Sequence, residues 1–384
     1  MNLADPAVRP GLLYPGVISA VRTVSAMAER AGTFAAINGD FFNIGASDAP
    51  VGPVVTAGRL IKAPQPGRAL AVGVGMDRVG RISTVRLRGY VELPGGRMAL
   101  SDLNDANPGY GPMLAPNGIG LFTSSWGTYT RAGAVRGLGS VTEVLVGGDR
   151  VASIRHHAGS GPIPAGSYVL LGAGRGGVAL ARLQVGEAVS VDYGQTTPAP
   201  VPFRFAIGGK YRLLRAGVVQ PGLPVAPGAE RTAVGFSHGG QIMYLVVTEG
   251  PEAGVPGMDL PQLARFMRGL GVRDAVGLDD GGSTTIVVRL PGRPGLTLLN
   301  RPADGTERSV ANGIGLLAAS PAGAVRWSSG AAGRVRRTVG DGEIRPCDRA
   351  QRRCAGPRGG RTDGRAAGVR LPAVPRSHAY PRKP

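Results

Sequence analysis

The stretch Ala275–Val288, AVGLDDGGSTTIVV, carries the strongest fold signal in the chain. Its two apolar runs, Ala275–Leu278 and Thr284–Val288, are typical of short strands, and Asp279–Ser283 between them is typical of a tight loop. Two carboxylates therefore stand where a strand leaves the core, and the two glycines that follow let backbone N–H groups approach an anion closely. On these residues alone, a plain hairpin with aspartate in its turn is the alternative.

Two hairpins are predicted upstream of this stretch. Thr232–Phe236 and Ile242–Thr248 flank the turn residues Ser237–Gly240, a pattern that favours a tight turn between two strands. By the same reasoning, Arg204–Val219 is predicted to fold back over Gly208-Gly209-Lys210.

Two helices are predicted as well. Ser19–Gly32 has apolar residues at helical spacing and ends on a glycine. Asp259 can cap a second helix, which has proline in its first turn and ends at Gly271. The side chains expected on its buried face are Leu263, Phe266, Met267 and Leu270.

The rest of the chain up to about residue 320 consists of short apolar runs separated by Gly and Pro, which indicates many short strands. We therefore predict an α+β fold, with a twisted, largely antiparallel sheet, a few packed helices and a strand-rich insertion. The expected domain covers residues 1–320, with its core at about 1–75 and 200–320 and the insertion at about 76–199. The runs read as strands are Phe34–Ile37, Leu70–Val74, Val85–Leu87, Val141–Val146, Tyr168–Leu171, Val185–Tyr193, Leu296–Leu299 and Ile314–Leu317.

Composition and charge indicate which part of the chain is folded and which partners are expected. Gly and Pro supply 64 and 32 of the 384 residues, yet 42% of residues are hydrophobic and 18% are charged, which indicates a folded, turn-rich protein. The formal charge is +19, but the segment Arg326–Pro384 alone holds +11 of it. The body is therefore only moderately basic, and no specific nucleic acid is expected as a partner. Residues 321–384 are predicted to be a disordered tail rich in Gly, Arg and Pro.

Several familiar site patterns are present but weak. Gly172–Gly177 satisfies the GxGxxG pattern, but no long helix is predicted after it, so dinucleotide binding is disfavoured. His156 and His157 would point to opposite faces of a strand, which disfavours a histidine metal site. Both cysteines, Cys347 and Cys354, lie in the tail, so the body has no thiol nucleophile or thiolate metal site. No cofactor is expected, and these residues leave open whether the protein binds a divalent metal.

Four blocks of residues, taken in order, resemble the phosphodiester glycosidase family. The blocks are Ala36–Phe42 (AINGDFF), Arg231–Gly235 (RTAVG), Gly257–Leu260 (GMDL) leading to Leu278–Thr285 (LDDGGSTT), and Asn300–Gly313 (NRPADGTERSVANG). The resemblance implies an enzyme that hydrolyses the glycosidic bond of a sugar-1-phosphodiester. A GlcNAc-1-phosphodiester, such as one from a cell-envelope or exported polysaccharide, is the expected substrate type.

The resemblance also bears on location. Members of the family are mostly exported or lumenal, and Asn2–Pro6 resembles the end of a family strand whose beginning is missing here. A truncated start would remove that strand together with a signal peptide, so export is expected. The chain shows no signal peptide and no run of about 18 apolar residues, so a cytoplasmic location is expected if the start is complete.

The matching blocks nominate the site residues. The expected catalytic carboxylates are Asp40, Asp279 and Asp280. The residues expected to bind substrate or its phosphate are Asn38, Arg68, Arg231, Gly281, Gly282, Ser283, Arg308 and Asn312. The segment around Trp126 also resembles a family block, and its indole is expected either to stack on sugar or to pack in the core.

One residue departs from the family pattern. The family loop usually has glycine where this chain has Asp280, which leaves an alternative open. In that alternative the fold is retained as a non-catalytic module that binds glycans or helps to assemble an exopolysaccharide.

Overall fold

The computed structural model describes residues 1–107 and 113–318. The predicted disordered tail, residues 321–384, and both cysteines lie outside the described residues. The described part contains three α-helices, α1 Val24–Ala31, α2 Arg175–Ala181 and α3 Leu260–Gly269. The longest of these, α3, has ten residues, so no described helix reaches the length of a membrane span.

Strands are the main regular structure in the rest of the described chain. In order they are β1 Val8–Leu13, β2 Thr33–Asn38, β3 Val54–Thr56, β4 Arg59–Lys62, β5 Leu70–Gly75, β6 Gly80–Thr84, β7 Arg86–Leu93, β8 Gly96–Leu103, β9 Ile119–Thr123, β10 Thr142–Gly147, β11 Arg150–Arg155, β12 Ser167–Gly172, β13 Ser190–Thr196, β14 Phe203–Gly208, β15 Tyr211–Arg215, β16 Val218–Val219, β17 Arg231–Phe236, β18 Met243–Thr248, β19 Asp274–Gly277, β20 Ile286–Val288, β21 Thr297–Leu298 and β22 Gly313–Ala318. The predicted run Val185–Tyr193 is a strand only from Ser190 onward.

The strands form four sheets rather than the one sheet that we predicted. Three have five strands each, in the orders β1-β22-β2-β20-β21, β4-β3-β14-β5-β6 and β16-β15-β19-β17-β18. The fourth has seven strands, β11-β10-β12-β9-β8-β7-β13, all drawn from between Arg86 and Thr196. Pairing is antiparallel throughout the described strands except between β8 and β9, so the α+β fold class is confirmed.

The seven-stranded sheet falls within the segment predicted as an insertion, residues 76–199. However, β6 pairs with β5 in one of the five-stranded sheets, so the strand-rich segment departs from the other sheets only after Thr84. The division of the chain into a core and an insertion stays a prediction.

The three five-stranded sheets share one hydrophobic core. Side chains of β2, β5, β14, β17, β19 and β22 meet there, with the aromatic rings of Phe205 and Phe236 among aliphatic neighbours. Because each sheet buries one apolar face against the others, the ends of several strands are brought to one place. The candidate site lies at these strand ends.

The two predicted hairpins have different outcomes. The first is confirmed, since β17 and β18 pair from Arg231 opposite Thr248 to Phe236 opposite Met243. The second is wrong, since β14 pairs with β3 and β5 while β15 pairs with β16 and β19. The turn residues carry the chain from one sheet to another, because Lys210 N–H donates to the carbonyl of Gly277 rather than across a hairpin. In the same way, the loop Asp279–Ser283 joins β19 to β20 of a different sheet and is not a hairpin turn.

The first helix begins later than predicted. Thr23 caps α1 by accepting a hydrogen bond from Ala26 N–H, and Gly32 ends the helix in a left-handed conformation at φ 66°. Residues before Thr23 are held elsewhere, because Ser19 donates both its N–H and its hydroxyl to the carbonyl of Trp126, at 2.9 and 2.7 Å.

The third helix has the predicted cap but a different buried face. Asp259 and Gln262 form a reciprocal capping box. Phe266 and Leu270 are 43% and 45% exposed, so their predicted burial is wrong. The helix is rotated so that its buried side chains are those of Leu260, Leu263, Ala264 and Met267.

The GxGxxG segment serves close packing. The short helix α2 follows it, and a Cβ on Gly177 would lie 1.6 Å from the carbonyl oxygen of Ser140. A Cβ on Gly176 would lie 2.4 Å from the carbonyl oxygen of Gly118. These glycines therefore let α2 lie directly against neighbouring backbone.

This packing predicts opposite effects for two glycine-to-alanine changes in helices. Gly177→Ala should lower the free energy of unfolding by about 1–3 kcal/mol, because the new methyl group overlaps backbone. Gly269→Ala, whose Cβ would meet no atom within 4 Å, should raise it by about 0.5 kcal/mol. Urea denaturation of both variants measures the difference, and equal effects would contradict the packing role of Gly177.

Candidate active site

The candidate site forms where the loops after β2 and β19 meet. Asp40 lies two residues beyond the end of β2, and Asp279 lies two residues beyond the end of β19. The two loops are joined directly, because Asp279 N–H donates to the carbonyl of Gly39 at 2.9 Å. Two of the predicted catalytic carboxylates, 239 residues apart in sequence, are thereby brought to one place.

Asn38 holds this junction together. Its Nδ2 donates to the carbonyl of Asp279 at 2.8 Å, and its Oδ1 accepts from the Thr232 hydroxyl at 2.7 Å and from Thr285 N–H at 3.1 Å. The side chain is fully buried. The structure thus gives Asn38 a positioning role, because its carbonyl oxygen and one amide hydrogen are used inside the protein, and its predicted binding of substrate stays a prediction.

Asn312 fixes Asp40 from the other side. Its Oδ1 accepts from Asp40 N–H at 2.8 Å, and the side chain is 1% exposed. Only glycine fits at position 39, since a Cβ there would lie 2.1 Å from that Oδ1. Asn312 therefore sets the position of the Asp40 backbone, and its predicted binding of substrate stays a prediction.

The Asp40 carboxyl group is held in a narrow space. Its Oδ2 accepts from Gly52 N–H at 2.6 Å, and a Cβ on Gly208 would lie 2.3 Å from the same oxygen. Asp40 is only 2% exposed, and burial raises its pKa to about 7. The hydrogen bond from Gly52 and the positive charge of Lys62 act in the opposite direction, while the negative charge of Asp279 raises the pKa further.

Asp279 is the more accessible carboxyl group of the two, at 8% exposed. Burial raises its pKa to about 6, against hydrogen bonds from Ser283 and from Asp280 N–H. The negative charge of Asp279 also raises the pKa of Asp40, so the two carboxyl groups interact electrostatically. Such a pair can hold one proton and one negative charge near neutral pH, which suits acid–base chemistry.

Asp280 and Arg231 face each other in an ion pair. Arg231 also donates from Nε to the carbonyl of Met258 at 3.0 Å, which fixes its guanidinium group. The predicted catalytic carboxylate and the predicted phosphate clamp thus neutralise each other in this structure. Asp280 has φ −132°, an ordinary extended value, so it replaces the family glycine without strain, and the left-handed position is Gly281 at φ 56°.

The remaining predicted residues flank this loop. Arg308 donates to Asp304 at 2.7 Å and to the Ser283 hydroxyl at 3.4 Å. Gly282 lies against this ion pair, because a Cβ there would be 2.1 Å from a guanidinium nitrogen of Arg308. Arg68 is half-buried, and among the described residues no hydrogen bond or ion pair joins its guanidinium group to Asp40 or Asp279.

A buried charged cluster beneath Asp40 is absent from the sequence predictions. The fully buried Lys62 pairs with Asp105 at 2.8 Å, and Gln65 Nε2 donates to the same carboxylate at 3.3 Å. A backbone path leads from here to the site, because Gln65 N–H donates to the carbonyl of Val51 at 2.9 Å, next to Gly52.

A second acid completes the cluster. Asp102 is 4% exposed, and burial together with the charge of Asp105 raises its pKa well above the ordinary value. Burial also raises the pKa of Asp105, against the charge of Lys62. The polar run Ser101–Asn107, SDLNDAN, directly after an apolar strand residue, is the sequence signal that could have drawn attention to it.

Trp126 is a core residue, so its proposed stacking on sugar is wrong. The indole is fully buried, makes edge contacts with Phe122 and Tyr129 at centroid distances of 5.3 and 6.4 Å, and donates to the carbonyl of Tyr129. Aromatic rings nearer the site are those of Phe41 and Tyr211, both partly exposed. Within residues 1–107 and 113–318, no three His, Cys, Asp or Glu side chains are grouped so as to hold a metal ion.

Comparison with known proteins supports the resemblance. The sequence model of the phosphodiester glycosidases matches residues 140–317, which include three of the four predicted blocks. The predicted resemblance to this family is confirmed over that segment. None of the curated proteins matches the chain significantly.

Solved structures of two bacterial proteins show a similar fold. A hypothetical protein of Synechocystis matches with a TM-score of 0.66 and 22% identity, over 83% of this chain and 58% of that one. A Burkholderia pseudomallei K96243 protein, described as a proposed exported protein, matches with a TM-score of 0.64 and 23% identity, over 82% and 72%. The chain thus spans less than two thirds of the Synechocystis protein.

The catalytic domain of zebrafish N-acetylglucosamine-1-phosphodiester alpha-N-acetylglucosaminidase, auto-inhibited by its pro-peptide, also matches. Its TM-score is 0.42 at 16% identity, over 80% of this chain and 72% of that one.

Burial of the Asp40 carboxyl group predicts a pH-dependent stability. The pKa of Asp40 is about 7 in the folded protein against 3.8 for the ordinary group, so between these values the folded state holds a proton that the unfolded state has lost. The free energy of unfolding contributed by Asp40 should therefore fall as pH rises from about 4 to about 7, by at most about 1.4 kcal/mol per pH unit.

Asp40→Asn removes this titration while keeping an oxygen that can accept from Gly52 N–H. Urea denaturation of both proteins from pH 4 to pH 8 should show the variant gaining stability relative to the wild type as pH rises, with a constant difference above pH 7. A difference that does not change with pH would contradict the raised pKa.

Proposed function

We propose that this protein hydrolyses the glycosidic bond of a sugar-1-phosphodiester of the GlcNAc-1-phosphodiester type. The observation that carries the proposal is the pair of buried carboxyl groups, Asp40 and Asp279, at the junction of two strand-end loops. Their pKa values of about 7 and about 6 differ in the sense that an acid–base pair requires. The family match supports the same reaction class.

The different pKa values suggest separate roles for the two groups. Between about pH 6 and pH 7, Asp279 is ionised and Asp40 keeps its proton. The Asp279 carboxylate stabilises the positive charge that develops at the anomeric carbon, and Asp40 serves as the proton donor and acceptor of the pair. The phosphomonoester is a good leaving group, so the demand on an acid is smaller than for an ordinary glycoside.

The departing phosphate needs donors and positive charge. Ser283 and Arg308 lie beside Asp279 and are in contact with each other, so they can share a phosphate oxygen after a small rotation. Water supplies a hydroxyl group to the anomeric carbon and a proton to the released phosphomonoester. The substrate could belong to a cell-envelope or exported polysaccharide.

A second candidate function is a glycan-binding or exopolysaccharide-assembly module without turnover. The Arg231–Asp280 ion pair favours it, because Asp280 neutralises a cation that the family loop would otherwise leave for substrate. Binding of a sugar phosphodiester without its hydrolysis would support this alternative.

We also propose that the protein is exported. The description of the Burkholderia neighbour is in line with this location, and fractionation of cells producing the native gene product tests it.

The enzyme proposal predicts turnover that depends on Asp279. The purified full chain should release sugar from a panel of sugar-1-phosphodiesters that includes a GlcNAc-1-phosphodiester. Asp279→Asn should lower kcat by at least about 100-fold, since a carboxylate at the reacting centre is lost, with thermal unfolding nearly unchanged. The exposed Asp192→Asn serves as a matched control. A folded wild type that is inert on the whole panel would refute the proposal.

The two pKa values predict a bell-shaped pH profile. For the free enzyme, log kcat/KM should rise as Asp279 ionises near pH 6 and fall as Asp40 loses its proton near pH 7, with an optimum between them. Asp40→Asn should remove the alkaline limb from whatever activity remains. An alkaline limb that persists unchanged in this variant would contradict the role given to Asp40.

A further inference from the structure

Lys210 is held between two aromatic rings beside the candidate site. Its ammonium nitrogen lies 4.8 Å from the centroid of the Phe41 ring and 4.8 Å from that of the Tyr211 ring. Aromatic faces attract a cation at such distances. Phe41 directly follows Asp40 in sequence, so one of the two rings belongs to a carboxyl-bearing loop.

The backbone from Gly208 to Lys210 contacts both of the chain segments that lead to the carboxyl groups. Gly208 lies against the Asp40 carboxyl group, because a Cβ added at Gly208 would lie 2.3 Å from Asp40 Oδ2. Lys210 N–H donates to the carbonyl of Gly277 at 3.0 Å, two residues before Asp279. The segment from Gly208 to Lys210 therefore runs from one carboxyl-bearing loop to the other.

Lys210 differs from three other cations around the site, each of which pairs with a carboxylate. Arg231 pairs with Asp280, Arg308 with Asp304, and Lys62 with Asp105. In the part of the chain that the structure describes, no carboxylate pairs with Lys210, and no hydrogen bond uses its ammonium group. Its three N–H donors thus stay open to a ligand, while the two rings limit where the group can go.

We propose that Lys210 binds a non-bridging phosphate oxygen of the substrate, with Phe41 and Tyr211 holding its ammonium group in place. This inference rests on the proposed function and deepens it, because it names the residue that recognises the phosphodiester. The chemistry is complementary, since a phosphodiester is a monoanion and Asp279 would repel it unless a cation lies nearby. All three side chains are partly exposed, so a ligand can reach them.

Titration calorimetry with inorganic phosphate tests the binding without requiring turnover. Lys210→Met should weaken phosphate binding by at least about tenfold, and Lys210→Arg should retain most of it, because charge and donors are kept. Arg97→Met is a matched control, since Arg97 lies 3.8 Å from the Tyr90 ring in an exposed cation–π pair on the seven-stranded sheet. Circular dichroism and thermal unfolding verify that each variant is folded, and Lys210→Gln repeats the test with a polar side chain.

The kinetic test separates this inference from the proposed function. With an active wild type, Lys210→Met should raise KM for the phosphodiester far more than it lowers kcat, and the effect should shrink at high salt. Unchanged phosphate binding in both Lys210→Met and Lys210→Gln, or no phosphate binding by the wild type, would overturn the role of Lys210. A wild type that binds phosphate through Lys210 but hydrolyses nothing would refute the enzyme proposal and leave the binding site standing.

Discussion

The side chain of Asn38 is the constraint on which the site depends. Its three hydrogen bonds reach the loop after β19, strand β17 and the backbone just before β20, so one amide group joins three separate stretches of chain. A buried amide left without partners would cost about 1–3 kcal/mol, so the neighbouring chains are strongly held in this arrangement. This junction places the loops that carry Asp40 and Asp279, and contacts such as the hydrogen bond from Gly52 N–H then fix the Asp40 carboxyl group.

The charged side chains of the site form a buried group and a more accessible group. Below Asp40, the buried Lys62 pairs with Asp105 and still lowers the pKa of Asp40, which keeps that carboxyl group from being permanently neutral. At the accessible level, the guanidinium groups are partly neutralised by Asp280 and Asp304, whereas the Lys210 ammonium group is held by aromatic rings alone. The Lys210 ammonium group is therefore not neutralised by a carboxylate, and the two buried carboxyl groups, Asp40 and Asp279, both have raised pKa values.

The sequence alone predicted several local features and nominated residues for the site, but it did not predict which distant residues contact one another. The Asp259 cap and the β17–β18 hairpin depend on neighbouring residues, so they could be predicted from the chain as written. The Arg204–Val219 hairpin failed because both of its strands found partners more distant in sequence. Lys62 was missed because a lysine in a short strand usually faces water, and its burial requires Asp105, 43 residues further along. The sequence nominated Asp40 and Asp279, which the structure places on two joined loops, whereas the contacts of Asn38 and Asn312 could not be predicted because they span more than 240 residues.

The contact between Asn312 and Asp40 also bears on when the site can form during synthesis. Asp40 is made early, but the oxygen that receives its N–H belongs to a residue 272 positions later, and β1 finds its partner β22 only beyond that point. A nascent chain therefore cannot assemble the carboxyl pair until nearly all the described strands have left the ribosome. Until β22 has been made, β1 has no strand to pair with among those that the structure describes.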